Sequence, residues 1–329
     1  MLPFTRGKGL KRIFITGVAG FIGFHLAQAL AERGDAVVGM DNFNPYYDPV
    51  IKRQRADLLR NKWQVEVAEG DLLDFPWLRR RVQEHQTTHL VHLAAQAGVR
   101  YSLQDPKTYI QTNIEGFLHV LEICRADPQI ALLFASSSSV YGLNEQLPFL
   151  EEHLTDSPAS LYAVSKKTNE LMAHSYHHLF GIHSLGLRFF TVYGPWGRPD
   201  MAIYSFAQAI MEGRSIDVYN EGHMYRDFTY VTDTVAGTMA ALDFRATYDL
   251  FNLGRGKQES VLRVVSLLEQ GLQKKAVVRF LPREKSDPLS TQADIEKSRQ
   301  FLGYCPRVSL EEGMAHFCRW FIEFYKSSK

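Results

Sequence analysis

Cysteine is scarce in this chain: three in 329 residues, Cys124, Cys305 and Cys318, with no paired spacing and no CxxC. That pattern argues against a disulfide framework or a thiolate zinc site, and a reducing, cytoplasmic setting is expected. Charge of one sign is missing too. Lys plus Arg number 37 against 36 for Asp plus Glu, a formal net charge of +1, so no field recruits nucleic acid or a membrane surface. No apolar run approaches the length that spans a bilayer. The basic N-terminal stretch, residues 1–17, runs straight into a Gly-rich turn without a small-residue cleavage site, so no signal peptide is expected. What remains is an ordinary globular composition, 45% hydrophobic and 22% charged. The length suits one large α/β domain or two joined ones.

Short β-rich runs alternate with helix-length segments through the first half. "KRIFITG" reads as a strand, "FIGFHLAQALAERG" as a helix closed by Gly34, and "AVVGMD" as a second strand. "VEVAEGD", "HLVHLAA", "ALLFASSSS" and "HSLGLRFF" continue as buried strands. The alternation predicts an α/β fold with a Rossmann-type doubly wound parallel sheet. Beyond residue 190 the pattern loosens into "GPWGRPD" and "RDFTYVTDTVAGTMAALDF", then two amphipathic helices flanking the strand "AVVRFLP". We expect residues 1–190, with 225–258 returning to them, to form a cofactor domain. Residues 191–224 and 259–329 are expected to form a smaller α/β cap over the sheet's carboxyl edge, where ligands bind in such folds.

"ITGVAGFIG" places Gly17, Gly20 and Gly23 between the first strand and the first helix, with Phe21 and Ile22 opening that helix. Glycines there let the backbone approach a pyrophosphate at the helix N-terminus. Asp41 ends the second strand at the distance expected for a ribose hydroxyl contact. The residues after it begin with Asn42 and include no arginine to receive a 2′-phosphate, which favours NAD over NADP. Asp71, beside Leu72, is placed to accept from an adenine amine, and Ala94 and Ala95 leave room for the cofactor; strand-end packing is the alternative for each.

"SLYAVSKK" sets Tyr162 and Lys166 at i, i+4, on one helix face. By spacing alone this is equally a solvated face. With the glycine loop and "SSSSVYG" (136–142), however, the combination resembles the extended short-chain dehydrogenase/reductase family over nearly the whole chain. Within it, "DNFNPYYD", "QAGVRYS", "SSSSVYGLN" and "LRFFTVYGPWGRPDM" look like UDP-glucuronate 4-epimerases. The resemblance implies bound NAD, a nucleotide-sugar substrate, homodimerisation through the helices near 106–125 and at Tyr162, and Ser137 as the catalytic serine. Abstracting hydride from a sugar C4 requires loss of the 4-hydroxyl proton, and a phenol of pKa about 10 is a poor base. Lys166 and the positive nicotinamide are expected to favour the phenolate.

Related dehydratases carry Asp-Glu at the positions of Ser138 and Ser139, and related decarboxylases carry Glu at the second. Their absence here argues against both reactions. A 4-keto uronate loses CO₂ when its carboxylate bond aligns with the carbonyl π system, so an epimerase must hold the carboxylate out of alignment. Arginine clamps carboxylates bidentately. Thr191 and Arg198, helped by Ser138 and Ser139, are the candidates; a loop salt bridge or diphosphate contact is the alternative for Arg198. Arg100 and Asn113 are further substrate- and cofactor-end candidates. Tyr219 is expected to stack on uracil or sit in the core, Arg226 to neutralise the diphosphate with Asp227 as an available structural partner, and Asp287 to meet the uridine ribose. His174, His177 and His178 share a helix without an accompanying carboxylate or cysteine, so no metal is expected. The competing functions are a neutral UDP-hexose 4-epimerase and a non-catalytic nucleotide-sugar sensor.

Overall fold

Seven strands form one parallel sheet: β1 (Arg12–Thr16), β2 (Ala36–Asp41), β3 (Glu66–Glu69), β4 (His89–His92), β5 (Ala131–Ser137), β6 (Ser184–Phe189) and, late in the chain, β11 (Tyr248–Leu253). They stand in the order β11-β6-β5-β4-β1-β2-β3, the doubly wound arrangement, whose direction of winding reverses between β1 and β4. The structure is a computed structural model and describes residues 11–284 and 287–327. Residues 1–10, where the basic N-terminal stretch begins, lie outside the described residues.

Helices cover both faces, so strands can be apolar on both sides. β6 is buried at every position, Arg188 included. On one face α1 (Phe21–Arg33) packs near α8 (Val231–Asp243), and α2 (Val50–Trp63) lies beside α1. On the other, α3 (Phe75–Glu84), α5 (Gly116–Ala126) and α6 (Leu161–Phe180) bury Leu78, Phe117, Val120 and Ala173. Local chemistry marks the ends. Asp74 caps α3 by accepting from the Trp77 amide, Ser160 caps α6 through the Ala163 amide, and Gly34 closes α1 at φ 93°. A short α4 (Pro106–Tyr109) runs through a π-turn, residues 110–115, into α5.

β11 is absent from the strands expected above. Asp249 and Asn252 interrupt its apolar pattern, and Asn252 is tolerated inside because Phe149 O, Asp294 O and the Tyr141 hydroxyl satisfy its amide. Three small pairings lie beyond the sheet: β7 (Thr191–Tyr193) with β10 (Phe228–Tyr230), β9 (Tyr225–Arg226) with β12 (Glu259–Ser260), and β8 (Ser215–Tyr219) with β13 (Val277–Leu281). A second core forms around α7 (Ala202–Glu212), α9 (Val261–Leu272) and α11 (Leu310–Ser327), with Ile210, Leu268, Phe317 and Phe321 inside. α10 (Glu296–Leu302) sits against β11.

All three cysteines are unpaired. In the histidine group, His177 Nδ1 meets the Ile182 carbonyl at 3.1 Å and both His174 and His177 rest on Tyr248. No group of three or more metal-ligating side chains occurs among the described residues.

Candidate active site

The carboxyl ends of the central strands open into a cleft of about 1160 Å³, closed on its far side by α7, β8 and β13. Every site residue expected above except Asn113 lies on its wall.

The glycine turn is compact for steric reasons. Gly17 has φ +73°, and a Cβ on it would come within 2.7 Å of the Ala94 amide nitrogen; one on Gly23 would meet the Gly17 carbonyl oxygen at 2.2 Å. The first turn of α1, with Phe21 and Ile22, therefore lines the cleft without a side-chain cap, while the Gly20 amide donates to the Gly17 carbonyl at 3.0 Å. Asp41 closes β2 and accepts from the Ala19 and Phe43 amides at 3.2 and 2.9 Å. Burial raises its carboxyl, and the charge on Lys52 is the largest opposing influence. Asp71 accepts from Asn42 Nδ2 at 2.9 Å, with Leu72 beside it, and Ala94 and Ala95 line the floor. A glycine cradle at a helix N-terminus, with a carboxylate at the end of β2, fits a dinucleotide.

At the cleft's centre α6 presents Tyr162 and Lys166. Lys166 is buried; its Nζ donates to the Ala135 carbonyl at 2.8 Å, and desolvation lowers its pKa to about 8. Burial raises the Tyr162 phenol above its ordinary 10, while a hydrogen bond with Ser137 and the charge on Arg198 pull it down. Lys166, one turn along α6, turns its ammonium to β5 and makes no hydrogen bond with the phenol. Ser137 Oγ donates to Ser139 Oγ and accepts from the Ser139 amide, both at 3.1 Å, which closes the serine turn that also carries Ser138.

Thr191 starts β7 beside this centre. Arg198 pairs with Asp200 through Nε at 3.0 Å and through Nη2, and Tyr46 donates to the same carboxylate at 3.1 Å. The loop salt bridge considered for Arg198 is thus present, and it stands in the cleft wall. At the far end the Arg100 guanidinium lies 4.1 Å from the Tyr219 ring centre and bonds Asp287 at 2.7 Å, so Tyr219 belongs to the cleft and not to the core. Arg226 Nη1 donates to the Tyr225 and Leu289 carbonyls. Asp227 is not its partner: that carboxylate is buried and accepts from the amides of Arg255, Gly256 and Ala293. Adjacent residues of an extended strand point to opposite sides. Asn113 is set apart as well, its amide engaged by Gln96 and Ser165.

Among the polar wall residues that escaped the sequence reading are Tyr46, Lys52, Asp200 and Arg279. Asp200 had a usable signal, an acid two residues after Arg198. Lys52 reads as one more charge on a basic helix, and Arg279 as a surface strand residue paired across the sheet with Asp217 at 2.7 Å.

Comparison with known proteins agrees with this fold. The family model described as GDP-mannose 4,6 dehydratase matches residues 14–317. UDP-glucuronate 4-epimerase 1 of Arabidopsis thaliana is 46% identical over 338 residues, covering 97% of this chain and 78% of its own. An uncharacterized protein of Methanocaldococcus jannaschii is 48% identical over 315 residues, covering 95% and 97%. The crystal structure of UDP-glucuronic acid 4-epimerase from Bacillus cereus, in complex with UDP-glucuronic acid and NAD, superposes with a TM-score of 0.89 at 34% identity, over 95% of this chain and 99% of that one. From fold, site and these likenesses together, the chain belongs to the GDP-mannose 4,6-dehydratase-like family of extended short-chain dehydrogenases/reductases.

Proposed function

We propose that this protein is an NAD-dependent 4-epimerase that interconverts UDP-glucuronate and UDP-galacturonate. The observation that carries the reading is the wall beside Tyr162: an arginine, a threonine and three serine hydroxyls, with no acid at positions 138 and 139 to drive elimination. The Bacillus cereus neighbour, crystallised with UDP-glucuronic acid and NAD, supports it.

When bound, NAD supplies a reversible acceptor for the C4 hydride. Gly17, Gly20, Gly23, Phe21 and Ile22 would hold its pyrophosphate side, Asp41 a ribose, and Asn42, Asp71 and Leu72 the adenine end, while Ala94 and Ala95 keep the floor open. Tyr162 takes the 4-hydroxyl proton and later returns it, and Ser137 shares a hydrogen bond with the 4-oxygen. Lys166 contributes a cation whose low pKa lets it give or hold a proton near neutral pH. Thr191, Arg198, Ser138 and Ser139 grip the C6 carboxylate. Arg100, Tyr219, Arg226 and Asp287 receive the uridine diphosphate. Residues 1–190 with 225–258 act as the cofactor domain, and 191–224 with 259–329 as the cap. Exposed Leu103, Ile110, Leu118, Val164 and Leu171 on the 101–126 segment and α6 suit a homodimer interface, and three unpaired thiols suit a reducing cytoplasm.

The pairing of Arg198 with Asp200 favours a second reading, a neutral UDP-hexose 4-epimerase, because the arginine's charge is already countered. Incubation with UDP-glucuronate and NMR analysis decides between them. UDP-galacturonate is expected; UDP-pentose with CO₂, or turnover of UDP-glucose alone, overturns the proposal. Arg198→Ala is expected to cut uronate turnover 10²-fold or more, the loss of a charge-assisted clamp, and to leave any neutral-sugar turnover near native.

A further inference from the structure

Arg55, on α2, is fully buried and forms no salt bridge among the described residues; its Nε has no hydrogen-bond partner, and the buried Asp41 carboxylate feels its charge only through space. An unpaired buried guanidinium is costly, so its neutral acceptors carry the compensation. They come from three separate segments. Nη1 donates to the Ala19 carbonyl of the glycine turn at 2.9 Å and to the Tyr47 hydroxyl at 3.2 Å. Nη2 donates to the carbonyls of Trp196 at 2.6 Å and Gly197 at 3.2 Å. The preceding carbonyl, Pro195, is met by His25 of α1 at 2.9 Å; burial lowers His25 to a pKa of about 4, so the ring is neutral and donates. Three successive carbonyls of the 195–197 loop are therefore held by side chains of the two helices that follow β1 and β2.

The next residue is Arg198. The loop reaches it through Trp196 at φ +57°, a left-handed conformation that bulky residues rarely adopt. The Trp196 ring is wedged among Phe24, Trp320 and Phe324. The circuit closes on the other side, since Tyr46, next to Tyr47, bonds the Asp200 that pairs with Arg198. A strained loop held at every carbonyl has one permitted register.

We propose that Arg55 is a positioning residue that registers the sugar-facing Arg198 against the glycine cradle, so that carboxylate grip and cofactor are placed by one side chain. The carboxylate part rests on the proposed uronate reading; the placement of the loop does not. A lysine at 55 has one ammonium and cannot span both segments.

Two measurements on Arg55→Lys test this. In its crystal structure the 195–198 backbone is expected to shift by more than about 1 Å, with Trp196 leaving positive φ; an unmoved loop overturns the proposal whatever the substrate. By calorimetry, UDP-glucuronate affinity is expected to fall at least 10-fold and UDP-glucose affinity less than 3-fold, and in an Arg198→Ala background the Arg55 effect should vanish. Equal losses for both ligands, or a loss that persists without Arg198, overturn the proposal. A native protein with no preference for the uronate would sink the uronate reading and leave the structural arm to decide the latch. Val120→Ala, which opens the remote α5 core, controls for general destabilisation. Should Arg55→Lys fail to fold, His25→Ala frees the same loop at Pro195 and is scored by the same two measurements.

Discussion

Lys166 lies one turn from Tyr162, yet its ammonium donates to the Ala135 carbonyl at 2.8 Å, on the strand that ends in Ser137. The contact fixes α6 on β5 and leaves the lysine only 2% exposed. Burial lowers the folded pKa to about 8 from 10.5.

That shift has a sign for stability. Between pH 8 and 10.5 the unfolded chain binds more protons than the folded one, so stability rises with pH across this window. Below pH 8 the full cost of the buried ammonium is present, about 3 kcal/mol at 1.36 kcal/mol per unit. Lys166→Met removes that cost and loses a hydrogen bond of about 1 kcal/mol. In nucleotide-free protein at pH 7 we expect a net gain of about 1–2 kcal/mol, seen as a raised Tm. The gain should shrink toward pH 10, and turnover should be lost. A lower Tm at pH 7 would contradict this account.

Glu170 holds the same helix two turns from Tyr162. Its carboxylate accepts from Ser136 Oγ at 2.6 Å and from Arg188 Nε and Nη2 at 2.8 and 2.9 Å, with both charged side chains buried. Glu170→Gln leaves Arg188 uncompensated, a loss of about 3–5 kcal/mol. Thermal melts should show a drop on the order of 5–10 °C. Replacing both residues with methionine should recover most of it, since two apolar side chains leave no orphaned charge.

What the sequence showed and what it concealed divide along contact range. The glycine turn and the Tyr162/Lys166 pair were legible because their chemistry lies in local spacing, within one turn or one strand-to-helix junction. Arg55 reads as a routine helix charge, since its acceptors at Trp196 and Gly197 lie 141 and 142 residues away. The partner suggested for Arg226 by adjacency, Asp227, faces the opposite way because strand side chains alternate. β11 was hidden by Asn252, a polar residue whose satisfaction depends on loops far off in the chain.

Gly23→Ala tests the cradle. Its Cβ would sit 2.2 Å from the Gly17 carbonyl oxygen, a backbone atom that cannot swing aside. α1 must then lift from the turn, moving the amides that face the cleft. We expect purified variant to retain less than about a tenth of the native nucleotide, read by absorbance after denaturation, while far-ultraviolet circular dichroism stays native. Native nucleotide content in a folded variant would remove the cradle from the binding site.

Tyr162→Phe removes the group proposed to exchange the proton. Turnover should fall 10²- to 10⁴-fold, the range for a lost general acid/base, with nucleotide content unchanged. The phenol's environment adds a pH signature. Burial holds it above 10, and the Ser137 hydrogen bond and Arg198 oppose that rise. With the phenolate as the proposed proton acceptor, the native rate should climb with pH toward a plateau set by the phenol pKa in the loaded enzyme. Ser137→Ala withdraws a stabiliser of the phenolate and should move that climb to higher pH, beyond any fall in the plateau. A climb that stays in place, or moves down, would mean that Ser137 and Tyr162 do not share the reacting proton.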